Sequence, residues 1–342
     1  MSWLTVGLTP HRLEFLPETI RLMEGHAFIL LEEPPDPNFK AMLQGKIAIE
    51  EYVEESEAGF PEYAKAACRE FQRLYAQGKC FCQVEPYLEK WLVIRALLDE
   101  GLAAEKVRQI PELTPVYDME HETFGKLLDY YSSMGGSFAT LVEKIKIFAQ
   151  ADARRITLRD EMRAEAILKL LPNVPSEAPV YVEAGYIHLK LVNFLARGLK
   201  AFHPSRKLRV KNLLLAATQA RGLSRFLPSP GDGLTSYYLF SGRHREIDQD
   251  LLAARSLVYI KLIEKNELQP TPQTPFPHLE NELFWRLFVG ELSFEDCARL
   301  DRLIRFLSTQ KAREVAARSF PRAYQRAEER LRQGLGQTQA KG

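Results

Sequence analysis

The sequence predicts an α/β protein: a central, mainly parallel sheet flanked by helices, followed by a helical C-terminal extension. Over residues 1–216, short apolar runs ending in Pro, Gly or acidic residues alternate with longer amphipathic stretches, the pattern of strand–helix–strand units with parallel strands. After residue 217 the strand-like runs cease and 3.6-residue patterns take over. A chain of 342 residues is also long for one domain. The expected division is 1–216 as an α/β core carrying the site, 217–325 as a helical extension or lid, and 326–342 as a disordered tail.

Each element has its own signal. "WLTVGL" (3–8) is an apolar run that stops before Thr9-Pro10, and "HAFILLEE" (26–33) is stopped by Pro34-Pro35, since a proline pair ends a strand. Residues 60–79 read as a helix, with Pro61 in its first turn and Gly78 past its end. "KCFCQVEP" (79–86) is a third strand and 87–101 a helix stopped by Gly101. Residues 118–150 are helical with an interruption at "SSMGGS" (132–137). "TLRDEMRAEAILKLLPN" (157–173) reads as a helix opened by a capping box of Thr157 and Asp160 and closed by Pro172. "APVYVEAG" (178–185) is the fourth strand, 188–202 a helix, and "KLRVKNLLLA" (207–216) a fifth strand. Beyond that, 227–236 reads as a Pro/Gly loop, 245–267 and 293–319 as helices, and 268–279 as a proline-rich irregular segment.

Composition narrows the function classes. A formal net charge of +1 gives no global field to recruit nucleic acid or an anionic membrane. The basic run 203–211 and the arginines 318, 322, 326 and 330 read as solvated faces. No run reaches the roughly 18 apolar residues of a membrane span, and the N-terminus lacks signal-peptide features; both point to a cytoplasmic protein. The four cysteines (68, 80, 82 and 297) form no metal-binding or redox motif and read as buried structural thiols.

Polar residues cluster where strands end. Gly7 and His11 follow the first strand, Glu32 and Glu33 end the second, Glu85 ends the third, and Glu183, Gly185 and His188 follow the fourth. Parallel strands would bring these groups to one edge, where open α/β sheets bind ligands. Arg159 joins from a helix. Histidine serves as general base or metal ligand, a carboxylate orients it or binds metal, and arginine stabilises an oxyanion. No Gly-x-Ser-x-Gly elbow and no His-Glu-x-x-His motif is present, so hydrolysis by an activated water is the natural chemistry. His26 begins its strand, at the opposite edge, and reads as structural. His244, between Arg243 and Arg245, reads as a loop residue.

These residues resemble the TraB/TIKI/ChaN/erythromycin-esterase superfamily. The resemblance is carried by Arg159-Asp160-x-x-Met162 on a helix, Gly185-x-x-His188 after a late strand, and an early Gly7…His11 turn followed by a strand ending in Glu32-Glu33. It covers about residues 1–216. The first motif departs from the superfamily's Gly-x-x-His by one extra residue, which puts the direction of His11 in question. The superfamily includes metal-dependent proteases, macrolactone esterases, a haem-binding protein and proteins that restrain peptide pheromones.

The expectation is therefore a hydrolase of an ester, lactone or peptide bond, acting on a small-molecule or peptide substrate. His11, His188, Glu32 or Glu33 and Arg159 would be catalytic. With a divalent metal, His11, His188, Glu32 and Glu85 would be the ligands; metal-free acid–base chemistry is the other form. Alternatives from other classes are a haem- or metal-binding protein without turnover, and a regulatory scaffold binding a partner through the helical extension. Local readings compete: His188 as a cap of the helix after it, Asp160 as a cap of its own helix.

Overall fold

A computed structural model describes residues 2–55, 59–220, 228–240 and 247–339. Five strands form one all-parallel sheet: β1 (Ser2–Thr9), β2 (Phe28–Leu31), β3 (Cys80–Gln83), β4 (Val180–Gly185) and β5 (Arg206–Asn212), in the order β3-β2-β4-β1-β5. The predicted α/β class, with a flanked parallel sheet and a helical C-terminal region, is the observed one. The chain runs outward from β1 through β2 to β3, then returns to place β4 between β2 and β1. Val182 lies level with Val6 and Leu30, and Thr9 with Gly185. The carboxyl ends of β1, β2 and β4 are thereby aligned at a point where strand order reverses, the location that favours ligand sites.

Helices cover both faces, so the central strands read as nearly unbroken apolar runs. On one face Leu4, Val6, Leu8, Leu30, Val180 and Val182 pack with Ala164, Ile167, Leu191 and Leu195. On the other, Ile29, Leu31 and Tyr181 pack with residues of α1 (Leu16–Glu24), α2 (Phe39–Leu43), α3 (Ile49–Glu55) and α4 (Pro61–Ala76). This second face explains Gly7: a Cβ there would lie 2.1 Å from the Tyr181 hydroxyl oxygen. His26 is buried, bonded to Thr5 Oγ1 at 2.8 Å and Leu22 O at 2.6 Å, a structural role. Pro61 and Gly78 act as expected, the first opening α4 and the second adopting φ 85° after it.

The remaining helices are α5 (Pro86–Asp99), α6 (Ala104–Arg108), α7 (Thr114–Ser132), α8 (Phe138–Leu170), α9 (Leu189–Phe202), α10 (Leu213–Ala220), α11 (Pro230–Leu239), α12 (Gln249–Leu262), α13 (Pro277–Gly290), α14 (Phe294–Ile304), α15 (Thr309–Ser319) and α16 (Pro321–Gln339). The chain divides into two units, 1–118 with 156–214, and 119–155 with 215–342. The units therefore interleave along the sequence, with breaks near 118, 155 and 215. Residues 119–155 belong to the second unit because Phe138, Leu141, Val142 and Ala149 join its core, with Leu257, Val258, Phe288, Leu300 and Ile304.

Several local expectations are corrected. Thr157 and Asp160 do not open a helix: α8 runs unbroken from Phe138, since nothing between "SSMGGS" and Pro172 stops it. The fifth strand ends at Asn212, and its apolar tail is α10. The Pro/Gly segment 227–236 contains the start of α11, because Ser229 caps it by accepting from Asp232 N and Pro230 suits the first turn. The stretch 293–319 is two helices, the second capped by Ser308. Residues 321–339, which include most of the expected tail, are helical, and Arg326 and Arg330 pair with Glu291. Cys68 and Cys297 are buried, whereas Cys80 and Cys82 are exposed on the edge strand β3. Arg243, His244 and Arg245 lie outside the described residues. Among the described residues no helix is long and apolar enough to cross a membrane.

Candidate functional site

The carboxyl edge of β1, β2 and β4 carries two sets of polar side chains, both within the first unit. The first is a buried ionic cluster. The turn after β4 places His188 at the N-cap of α9, but its side chain makes no capping bond. Instead Nδ1 meets Asp160 Oδ1 at 2.5 Å and Nε2 meets Glu32 Oε1 at 2.9 Å. The other Asp160 oxygen accepts from Leu191 N at 2.9 Å, so Asp160 caps α9 from a neighbouring helix rather than its own. Glu32 Oε2 accepts from Gly185 N at 2.5 Å. A Cβ at Gly185 would press on the His188 ring at 3.3 Å, which accounts for glycine there.

Arginines complete this cluster. Arg159 pairs with Glu32 at 2.8 Å and Glu85 at 3.2 Å. Arg163, one helical turn on, is 1% exposed, reaches Glu32 and Glu85 at 3.5 and 3.7 Å, and donates to the carbonyls of Val84 and Glu183. Burial alone would lower the His188 pKa, but Glu32 and Asp160 outweigh it and raise it to about 9. Burial alone would raise the Glu32 pKa, and His188, Arg163 and Arg159 instead hold it well below the ordinary carboxylate range. For Glu85 burial prevails over the two arginines, and its pKa is raised. His188 is thus an imidazolium clamped between carboxylates.

The second set faces a cavity of about 800 Å³. His11, after β1, points its Nε2 at Glu183 Oε1 across 3.7 Å. That nitrogen is buried and has no hydrogen-bond partner. Glu183 is 4% exposed; its other oxygen accepts from Glu32 N at 3.3 Å. Glu33 turns away from Glu32, accepts from Gln83 Nε2 at 2.9 Å and lines the same cavity. Burial, opposed by the Gln83 bond and reinforced by Glu183, brings the Glu33 pKa to about 7. Tyr52, Phe60, Tyr63 and Phe71 supply aromatic wall. Burial and the neighbouring Glu183 and Glu33 raise the Tyr63 pKa well above the ordinary phenol value, so it stays a neutral phenol. Cys68 also lines the cavity, but burial, with Glu33, pushes its thiol to about 12, too high for a thiolate nucleophile.

The expected residues therefore separate. His188, Glu32, Arg159 and Glu85 come together, with Asp160, in the buried cluster. His11 and Glu33 belong to the cavity, with Glu183. Both Glu32 and Glu33 reach the cavity wall, but the oxygens of Glu32 are bonded to the cluster. Arg159 is paired with two carboxylates and is not among the cavity-lining residues. Of the expected metal ligands, His188, Glu32 and Glu85 lie in the buried cluster and His11 at the cavity, and both ring nitrogens of His188 face carboxylates. Among the described residues no three His, Cys, Asp or Glu side chains are arranged to hold a metal ion. Sequence reasoning missed Arg163, which lies one turn from Arg159 on the same helix face, a spacing that signals it. It also missed Gln83 and Tyr63, which carry no motif.

An uncharacterized protein of Archaeoglobus fulgidus is similar to this chain, 31% identical over 296 residues, covering 86% of this chain and 96% of the archaeal one. No family model and no solved structure matches.

Proposed function

The chain belongs to the family of that Archaeoglobus fulgidus protein, and we propose that it is a hydrolase that cleaves an ester, lactone or peptide bond with an activated water, on the carboxyl edge of β1, β2 and β4. The observation that carries this reading is the His11–Glu183 pair. Its facing atoms stand 3.7 Å apart at the cavity without a hydrogen bond between them. A water about 2.8 Å from each would satisfy both.

His11 Nε2 accepts a proton from this water as the oxygen attacks the carbonyl carbon, and Glu183 holds the water and steadies the imidazolium that forms. Glu33, protonated below about pH 7, gives its proton to the departing oxygen or nitrogen. Tyr63 lines the same cavity, and its neutral phenol would donate toward the developing oxyanion. The buried cluster does not touch the reacting atoms. Through Glu32 N and Arg163 it positions Glu183 and the β4 turn.

The reading is tested with a panel of activated esters, lactones and peptides, on wild type beside His11→Ala and Glu183→Gln. Turnover of at least one substrate class, lost in His11→Ala while the fold is kept, supports it. No turnover across the panel, or turnover indifferent to both substitutions, overturns it.

A further inference from the structure

We propose that this cavity selects a substrate that carries a positive charge on an apolar body, such as an aromatic or aliphatic amine; the inference rests on the hydrolytic reading of the same site for its consequence, though not for its test. Three observations point to it. First, the carboxylates at the cavity outnumber the cations. Glu183, Asp36, Glu55 and Asp99 line it, whereas Arg95 is the lining arginine and Arg12 stands near the aromatic wall, 6.0 Å over the Phe60 ring. Glu32 is left out of this balance because His188, Arg159 and Arg163 compensate it.

Second, Glu183, 4% exposed, holds its Oε1 3.7 Å from His11 Nε2 at the cavity, too far for a hydrogen bond between the two. A ligand donor entering between these atoms would meet a carboxylate oxygen on a largely buried residue. Third, the acidic groups are ordered. Gln83 donates to Glu33 and accepts from Asp36 N at 2.8 Å, Asp36 Oδ1 accepts from Asn38 N at 2.6 Å, and Asn38 Nδ2 donates to Glu55 at 3.2 Å. This chain fixes Asp36 and Glu55 along one wall, next to the Tyr52 ring. Aromatic faces beside carboxylates accept an ammonium through both charge and ring quadrupole.

An anionic substrate would meet repulsion from the same wall, and a neutral one would gain only from the rings. The experiment compares three ligands of one shape, naphthylethylamine, naphthylethanol and naphthylacetate, by fluorescence titration at low salt. Wild type is expected to bind the amine about tenfold tighter than the alcohol, with the carboxylate weakest. Asp36→Asn with Glu55→Gln is expected to remove most of that gap and leave the alcohol unchanged, so that alcohol binding reports an intact cavity. Asp99→Asn, on α5, repeats the test without altering the Asp36–Glu55 wall, with an expected loss of about threefold for the amine alone. Amine and alcohol binding equally, or a gap that survives both variants, overturns the proposal. The two readings fail separately: equal binding with measurable ester hydrolysis defeats the charge preference alone, and preferential amine binding with no hydrolysis defeats the hydrolase alone.

Discussion

The buried cluster and the cavity wall use the same residue types at the same sheet edge, yet they are suited to different work. In the cluster Asp160, His188, Glu32 and the two arginines answer one another, and His188 has both nitrogens engaged. In the wall His11 and Glu183 stop short of bonding, and Glu33 loses its proton near neutrality. A saturated histidine is held as a cation and serves as structure. One with an open nitrogen is suited to pass a proton. The number of partners, more than residue identity, separates a support from a reagent.

The sharpest way to break this contrast is to remove each histidine in turn. His11→Ala is expected to lower turnover by about two to four orders of magnitude, the usual worth of a general base, while shifting stability by less than about 1 kcal/mol because its ring is partly exposed. His188→Ala leaves Glu32 and Asp160 facing each other in a buried site and is expected to cost stability first. Paired kinetic and urea-denaturation measurements decide it. Unchanged stability in His188→Ala, with activity lost as fully as in His11→Ala, would exchange the two roles.

Arg163→Met tests the cluster alone. The substitution keeps the apolar length but strands Glu32, Glu85 and two carbonyls. Breaking a buried ion pair from one side costs about 3–5 kcal/mol, and chemical denaturation should return a loss in that range. A loss under about 1 kcal/mol would mean that water reaches these groups and that the cluster is not the rigid support described.

Titration sharpens the comparison further, because both regions hold raised pKa values with different windows. His188 rises from 6.5 to about 9, so the folded state binds its proton more tightly. That stabilisation is complete below about 6.5 and is lost as pH rises through about 9. Glu33 rises from 4.5 to about 7, so its contribution is complete below about 4.5 and is lost as pH rises through about 7. Stability should therefore fall in two stages on going alkaline. Glu33→Gln should flatten the first and His188→Gln the second, read from denaturation midpoints across pH. Turnover should decline through about pH 7 with the Glu33 proton, and that limb should vanish in Glu33→Gln.

Much of the edge was legible before any coordinates. Strand ends are marked by Pro, Gly and acidic residues, so Glu32, Glu85, Gly185 and His188 could be placed on one edge from spacing alone. What spacing cannot carry is which oxygen meets which nitrogen. His188 as ligand and His188 as clamped cation are the same letters, and the difference lies in Asp160, whose role was hidden while the helix start was misplaced at Thr157. That error has a physical source: Thr followed by Asp imitates a cap, but a cap needs a preceding break, and α8 has none there. Gln83 and Tyr63 were invisible because neutral polar residues in strands and helices bear no positional signature until the fold brings them to Glu33 and His11.

The smallest expected effect concerns the seam within the sheet where Gly7 on β1 meets Tyr181 on β4. A Cβ at residue 7 would lie 2.1 Å from the Tyr181 oxygen and under 3 Å from two ring carbons, so Gly7→Ala must displace the ring. Overpacking of this kind costs about 1–3 kcal/mol. The Tyr181 hydroxyl is itself buried without a hydrogen-bond partner, so Tyr181→Phe alone should change stability by only a few tenths of a kcal/mol, in the stabilising direction, because an unsatisfied polar group is removed. The double variant should recover part of the Gly7→Ala loss, since the closest clashing atom is gone. Additive losses in this double-mutant cycle would show that the ring carbons, or the loss of glycine itself from the strand, rather than the hydroxyl, are why residue 7 carries no side chain.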